Sequence, residues 1–290
     1  MLEKNDKLAD ADSKKSFRGS FRQSQIKNMS FNVVFTLTIV LFLTFVLAAI
    51  GGILVKGVPG LASSLASEEI LFSIRLSFIT SVISTVLCLT FALPIAYGME
   101  RFNIPGRKLF NALLDVPLAL PPIVSGVALL LLFGTTEFGR MLASHGFKFV
   151  FTVKGIIVAQ FFVNIPYMIR VLKSTIADIN PRLEFVARTM GCSQLQVFLR
   201  VTLPLAKNGL VAGIVITWAR ALGEFGGALM LAGATRMKTE TLPISLFLNM
   251  STGDLPEAMA AATILIVCSV ISLFIFELLG GKQTELSRMN

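Results

Sequence analysis

Two ionisable side chains stand where ionisable side chains are expensive. The run Leu205–Ala232 is apolar apart from Lys207 near its start and Arg220 and Glu224 deep inside. A charge at mid-bilayer costs several kcal/mol on a helix, so it must face protein or water and find a partner. Residues four apart share one face of a continuous helix. Two chemistries fit that spacing. Either Arg220 and Glu224 neutralise each other and fix the helix, or Arg220 lines a route and lowers the barrier for an anion. In the second case Glu224 opposes the anion and keeps the site weak. Arg75, near the end of another apolar run, reads as an anchor whose stem lies in lipid while its head reaches water.

Other chemistry is missing. No Gly-x-x-x-x-Gly-Lys-Ser/Thr run occurs, and Gly280-Gly281-Lys282-Gln283 lacks both the loop spacing and the hydroxyl, so no phosphate-loop ATP site is expected. His145 is the one histidine and has no cysteine cluster nearby, which argues against a histidine-based zinc site. Cys88 and Cys268 lie in apolar runs and Cys192 in a polar one, so they read as packed thiols rather than a disulfide framework. No Gly-x-Ser-x-Gly elbow is present. The residues therefore point to transport rather than bond-making, with no metal and no cofactor held by this chain.

The elements that must position Arg220 and Glu224 are membrane spans. Of 290 residues 54% are hydrophobic and 15% charged, where soluble domains carry about 25%, and the mean hydropathy is +0.77. These values exclude disorder, collagen and a disulfide scaffold. Stretches free of Asp, Glu, Lys and Arg run over Asn28–Val55, Leu76–Met99, Val116–Thr136 and Ala258–Phe276, and each suffices for the roughly 20 residues of a spanning helix. Gly155–Ala177 holds Arg170 and Lys173 near its end and, with Leu205–Ala232, completes an all-α integral membrane domain of six transmembrane helices. Barrel strands would alternate over about ten residues, and these runs do not. Most of the 26 Lys and Arg fall in 1–30, around Arg101–Lys108, within 170–207 and in the C-terminal tail. With six spans these segments share one side, and the Lys/Arg excess makes it the cytoplasm. The net charge of +9 is thereby explained as topology and attraction to lipid headgroups, not nucleic-acid binding. The expected organisation is a disordered cytoplasmic tail over 1–30, a six-helix domain over 31–280, and a cytoplasmic tail over 281–290. The first apolar run exceeds a signal-peptide core and reads as a retained anchor.

Within the spans, Pro117, Pro121 and Pro122 remove backbone donors and should kink or break the third helix. Such a break either packs against protein or lines a cavity. Gly209 and Gly213, then Gly223 and Gly227, are pairs four apart that allow close helix approach. That approach is either within the chain or near a twofold axis between two copies.

The loop 178–204 carries a further pattern. Asn180 is a plausible N-cap and Pro181 a first-turn proline. A short amphipathic helix then runs to about Met190, with apolar positions at Leu183, Val186, Ala187 and Met190. Gly191 supplies the left-handed turn that ends it. A second short helix follows, and Pro204 opens the next span. Such a knob lies on lipid or docks a soluble partner in the helix-in-groove manner.

This run resembles the cytoplasmic signature of ABC-transporter permeases of the importer type: Glu-Ala-Ala, three residues, Gly, nine residues, Ile-x-Leu-Pro. Aligned on Gly191, the triad falls on Phe185, Val186 and Ala187, with Glu184 one residue before the expected acid. Val201 takes the Ile place, and Leu203-Pro204 match. Three more stretches, Pro94–Arg107, Leu114–Gly126 and Ala219–Gly227, resemble the molybdate, tungstate and sulfate branch. Pro121-Pro122 and Thr239-Glu240-Thr241-Leu242-Pro243 look more like its molybdate/tungstate members. The resemblance covers about Ser73 to Leu279. It implies a type I importer fold in which the loop is a coupling helix. Glu184, Val186, Ala187, Gly191, Leu203 and Pro204 would dock an ATPase subunit. Arg220, Gly223, Glu224 and Gly227 would border the pathway of a divalent oxyanion. The implied partners are a second copy, two ATP-binding cassette subunits that bring ATP and Mg, an extracytoplasmic oxyanion-binding protein and membrane lipid. The implied cycle is alternating access in the cell membrane, with the spans, helix five included, swinging as the motors close. Two alternatives stand beside it: a sulfate or thiosulfate permease of the same kind, and an ion-coupled secondary transporter, for which no inverted repeat is visible.

Overall fold

Several of the apolar runs form unbroken helices, even across Pro94 and Pro166. A computed structural model describes residues 31–280. The expected tails 1–30 and 281–290 lie outside the described residues. Helix α1, Phe31–Gly57, is a continuous apolar rod of 27 residues. From there the chain continues through α2 (Leu61–Ser64), α3 (Glu68–Arg101), α4 (Arg107–Ala119), α5 (Pro122–Gly134), α6 (Glu137–Ser144) and α7 (Val153–Ala177). Next come α8 (Pro181–Thr189), α9 (Gln194–Val197), a π-helical segment (Phe198–Thr202) and α10 (Leu203–Leu205). The last elements are α11 (Lys207–Leu222), α12 (Gly226–Ala232), α13 (Leu242–Thr252) and α14 (Leu255–Gly280).

Helices α3 and α7 form the spine from residue 54 onward. Cys88, Ala92, Ala96 and Tyr97 of α3 bury themselves against Met168, Ile169, Leu172 and Ile176 of α7. Further along α3, the buried face is a stripe of small hydroxyl residues, Ser73, Ser77, Thr80, Ser81, Ser84 and Thr85. Small side chains let helices approach closely where water supplies no driving force. The hydroxyls of Thr80 and Thr85 donate back to the carbonyls of Leu76 and Ser81, at 2.9 and 2.7 Å, so their burial leaves no orphan donor.

Four helices (α1, α3, α7 and α14) are each long and apolar enough to cross a membrane, and two bent pairs bring the total to six if each pair is one span. The third expected span is one of those pairs. Leu120 and Pro121, each followed by a proline, are both extended, with ψ 139° and 137°. A proline ring disfavours the helical conformation in the residue before it, and here two prolines in succession act on adjacent residues. Helices α4 and α5 consequently meet at 106°. Pro117 sits inside α4 and does not end it.

The fifth expected span needs correction. Leu205–Ala232 is not one rod. The helical stretch Gln194–Leu205 turns through 71° into α11, and α11 stops at Gly223 before α12 restarts at Gly226. Pro204 therefore lies inside α10, ahead of the bend at Ala206, and does not open the span. Helix α13, with Pro243 in its first turn, is too short to cross a membrane and fills the connection to α14.

The first glycine pair packs within the chain. A Cβ on Gly209 would sit 2.2 Å from Thr175 Oγ1 and 2.8 Å from Thr175 Cβ, and one on Gly213 would sit 3.2 Å from Val171 Cγ1. Both neighbours belong to α7, so this face of α11 is already taken. Gly209→Ala should force α11 off α7 and lower stability by about 1–3 kcal/mol, the usual range for overpacking. Thermal unfolding of the detergent-solubilised protein checks it, and an unchanged melting temperature would remove the close approach.

Candidate functional site

Two places gather the residues singled out above. One is the elbow around α8. Asn180 accepts the N–H of Arg182 at 3.0 Å, and Pro181 occupies the first turn. At the other end Gly191 has φ +90°. Its N–H donates to the carbonyl of Arg188 at 3.0 Å, and that of Cys192 to the carbonyl of Ala187 at 3.1 Å. This pairing closes the last carbonyls of a helix around a left-handed residue. Ser193 and Gln196 then cap each other reciprocally and start α9. The result is a short helix with rigid ends.

Its exposed surface carries large apolar side chains beside Arg182, Arg188 and Thr189. Phe185 is 68% exposed, Val186 53% and Met190 80%, with Leu183 and Leu195 also exposed. Ala187 and Leu203 are half-buried and Pro204 is exposed. Glu184 is the correction. It was expected on the docking surface, yet it is buried. Its Oε1 accepts from Arg101 Nε and from Thr202 Oγ1, both at 2.9 Å. The carboxylate lies one residue away from the exposed Phe185, and along a helix that step turns a side chain from the outer face to the inner one.

The second place is the break after α11. Arg220 and Glu224 form no ion pair: among the described residues no carboxylate oxygen lies within 4.0 Å of the Arg220 guanidinium. Arg220 instead donates from Nε to Asn164 Oδ1 at 3.3 Å and lies over the Tyr167 ring at 5.0 Å. Glu224 turns the other way and accepts the N–H of Gly227 at 2.8 Å. The i,i+4 argument assumed a continuous helix, and Gly223 ends it. Asn164 Nδ2 donates to the carbonyl of Gln160 at 2.7 Å, and Gln160 Nε2 donates to the carbonyl of Ala221 at 2.9 Å. Gln160 Nε2 also reaches Thr80 Oγ1 at 3.3 Å. A polar ladder thus links α3, α7 and α11 and ends on an exposed guanidinium. Arg220 also borders an open cavity of 440 Å³ between α11 and α14 whose lining is mostly apolar, with Val215, Ile216, Ala219 and Leu273 beside Ser269 and Ser272.

The two broken spans touch at their breaks. A Cβ on Gly126 would lie 2.8 Å from Gly227 Cα, and one on Gly226 would lie 3.2 Å from Pro122 Cβ. Gly227 is therefore a contact point between α12 and α5. A Cβ on Gly223 would meet only carbonyls of its own helix at 3.8 and 3.9 Å.

Asn164, Gln160, Tyr167, Arg101 and Thr202 were not anticipated. Gln160 and Asn164 had a signal, two amides four apart in an apolar run. Arg101 had none, because it sits in a basic turn where it counts only toward orientation.

Comparison with known proteins agrees with this architecture. The family described as binding-protein-dependent transport system inner membrane component matches residues 92–282. The "Probable transport system permease protein NifC" of Clostridium pasteurianum is 31% identical over 96% of this chain and 98% of its own. The "Probable molybdenum ABC transporter permease protein" of Haloferax volcanii is 34% identical over 84% of this chain and 88% of its own. The "Sulfate transport system permease protein CysT" of Salmonella typhimurium is 32% identical over 74% and 78%. Among solved structures, a chain of a bacterial alginate ABC transporter in complex with its periplasmic protein has a TM-score of 0.70 at 18% identity, covering 90% of this chain and 96% of that one. A chain of the MetNI methionine ABC transporter has a TM-score of 0.57 at 18% identity, covering 74% and 98%. The shared fold is the type I importer permease fold.

The two glycines of the candidate sites should respond oppositely. Gly191→Ala places a side chain in the left-handed region at a cost of about 1–2 kcal/mol, so amides of α8 should exchange faster with deuterium. Gly223→Ala has room and should leave both exchange and melting temperature as in the wild type. Equal behaviour of the two variants contradicts the turn geometry.

Proposed function

The chain belongs to the family of binding-protein-dependent transport system inner membrane components, and we propose that it is the permease subunit of an ABC importer for a tetrahedral oxyanion, molybdate or tungstate. In this reading two copies form the pathway, and two separate ATPase subunits bring ATP and Mg. An extracytoplasmic binding protein delivers the anion. Tails and elbow face the cytoplasm, and the protein resides in the cell membrane among lipid. The chain catalyses no reaction of its own.

The observation that carries the anion reading is Arg220: a guanidinium inside a broken span, exposed, with an amide and a phenol ring as its recorded contacts. A charge so placed is tolerated where it faces a water-filled space or an anion. At 4 Å and an effective dielectric near 20, each unit of anion charge gains about 4 kcal/mol from it before desolvation. Glu224 does not cancel this gain by pairing, because its recorded hydrogen bond is to the N–H of Gly227. One exposed guanidinium holds an anion only briefly, as a route requires, and retention falls to the binding protein. Sulfate is the second reading, favoured by the sulfate permeases that are about as similar to this chain as the molybdenum one.

The elbow supports the motor half of the proposal. Phe185, Val186 and Met190 form a compact apolar face on a helix with rigid ends, the form a groove on a soluble partner accepts. Alternating access follows if that partner draws two such elbows together.

Two experiments test the reading. In proteoliposomes carrying the ATPase subunits and binding protein, Arg220→Ala should lower uptake about tenfold or more while assembly is retained, and Arg220→Lys should fall between. Uptake unaffected by Arg220→Ala would take the route away from this residue. Competition among molybdate, tungstate and sulfate in the same assay names the substrate. Val186→Glu should separately release the ATPase subunits in mild detergent, and retention of both would return the elbow to the lipid surface.

A further inference from the structure

Arg101 is the last residue of α3 and is used by nothing described so far. Its side chain is 11% exposed. Nε donates to Glu184 Oε1 at 2.9 Å, while Nη2 donates to the carbonyls of Ile176 and Ile179, both at 2.9 Å. Those carbonyls belong to the final turn of α7 and the connection beyond it, where helix carbonyls lack partners within the helix. Glu184 Oε1 also accepts from Thr202 of the π-helical segment at 2.9 Å. Tyr97, one turn before Arg101, packs edge-on against Phe198 of that same segment at 4.8 Å. One guanidinium and one carboxylate therefore join the end of α3, the end of α7, the middle of α8 and the segment 198–202.

The covalent path from elbow to spans is less direct. It runs through the π-helical segment and then bends by 71° at Ala206 before α11 begins. A bent joint turns where a straight rod would push. The side-chain path is short and buried by comparison. A buried ion pair with its hydrogen bonds completed specifies a geometry more than it adds stability.

We infer that Arg101 is a positioning residue that carries displacement of α8 directly into the α3–α7 pair. From α7 two side chains then reach α11 separately, Gln160 at the carbonyl of Ala221 and Asn164 at the guanidinium of Arg220. Helix α11 follows its neighbours and does not lead them. The inference rests on the ATP-driven reading of the protein, and its test is arranged so that the two fail differently.

The test uses the full chain in proteoliposomes with its ATPase subunits and binding protein, reading anion carried per ATP hydrolysed. Arg101→Lys keeps the charge, but one ammonium on a flexible stem does not reproduce the fork that grips a carboxylate and two carbonyls together. The expected result is wild-type assembly and wild-type basal ATP hydrolysis, with anion carried per ATP down about tenfold or more. A merely structural role would lower the amount of assembled complex and leave that ratio alone. If Arg101→Lys assembles poorly, Glu184→Gln carries the same test: it keeps an acceptor for Arg101 and Thr202 while losing the charge, and the ratio should fall roughly threefold. A wild-type ratio in whichever variant assembles overturns the inference. A wild-type complex that hydrolyses no ATP sinks the transport reading and this inference with it.

Discussion

Backbone in a hydrocarbon layer has no water to bond to, so a helix can break there only where protein or an aqueous cavity receives the exposed groups. This chain interrupts two apolar runs, one at Leu120–Pro121 and one at Gly223–Phe225, and lays these interruptions against each other, while the 71° bend lies elsewhere, at Ala206. Gly126 and Gly227 allow the contact, because a Cβ on Gly126 would collide with the backbone of Gly227. The carboxylate of Glu224 takes up the N–H of Gly227 at the start of α12. A side chain at Gly126 would push the two breaks apart, and loss of the Glu224 carboxylate would leave the N–H of Gly227 without this acceptor. The proline pair, the glycines and the acid are consequently one device, and the rest of the bundle is arranged around it.

That device also decides the electrostatics. Were α11 continuous through Gly223, Arg220 and Glu224 would face one another and neutralise. The break turns Glu224 toward α12 and leaves Arg220 with Asn164 and Tyr167, which orient it without cancelling its charge. Asn164 is itself held by Gln160, and Gln160 by Ala221 and Thr80. A positive charge at depth is thus both fixed in place and kept available. The same backbone interruption that needs shelter also keeps Arg220 and Glu224 from forming an ion pair.

Local signals in the sequence were reliable at the elbow and at the Pro121-Pro122 pair, though not at Pro117 or Pro204. Asn180, Pro181 and Gly191 bound α8 as their cap and turn chemistry requires. The prolines at 121 and 122 break the third span for a steric reason that acts between adjacent residues. What sequence spacing could not reach is whatever depends on a distant partner. Glu184 looks like a surface acid until Arg101, 83 positions away, is seen to cover it. The Gly209–Gly213 pair fits a dimer axis as well as it fits α7, and only the position of Thr175 and Val171 decides between them. The ion pair of Arg220 and Glu224 failed because it inherited an assumption of helical continuity across Gly223. For the proposed anion and motor the sequence carried only a family likeness, since a substrate or a separate subunit leaves no local pattern in this chain.

Selection among oxyanions cannot reside in Arg220 alone. Molybdate, tungstate and sulfate are tetrahedral dianions with oxygen surfaces, so a single planar fork meets the same two acceptors and the same charge in each. What separates them is mainly radius and hydration, and measuring a radius takes a closed shell of donors on several sides. Arg220 offers one side, beside an open cavity. In the proposed reading its contribution would therefore be common to all three anions, lowering the barrier for charge without sorting the cargo. On that proposal discrimination would precede entry, in a protein able to enclose the ion, and a weak unselective guanidinium would then have an advantage: it would admit what has been chosen and not compete to keep it.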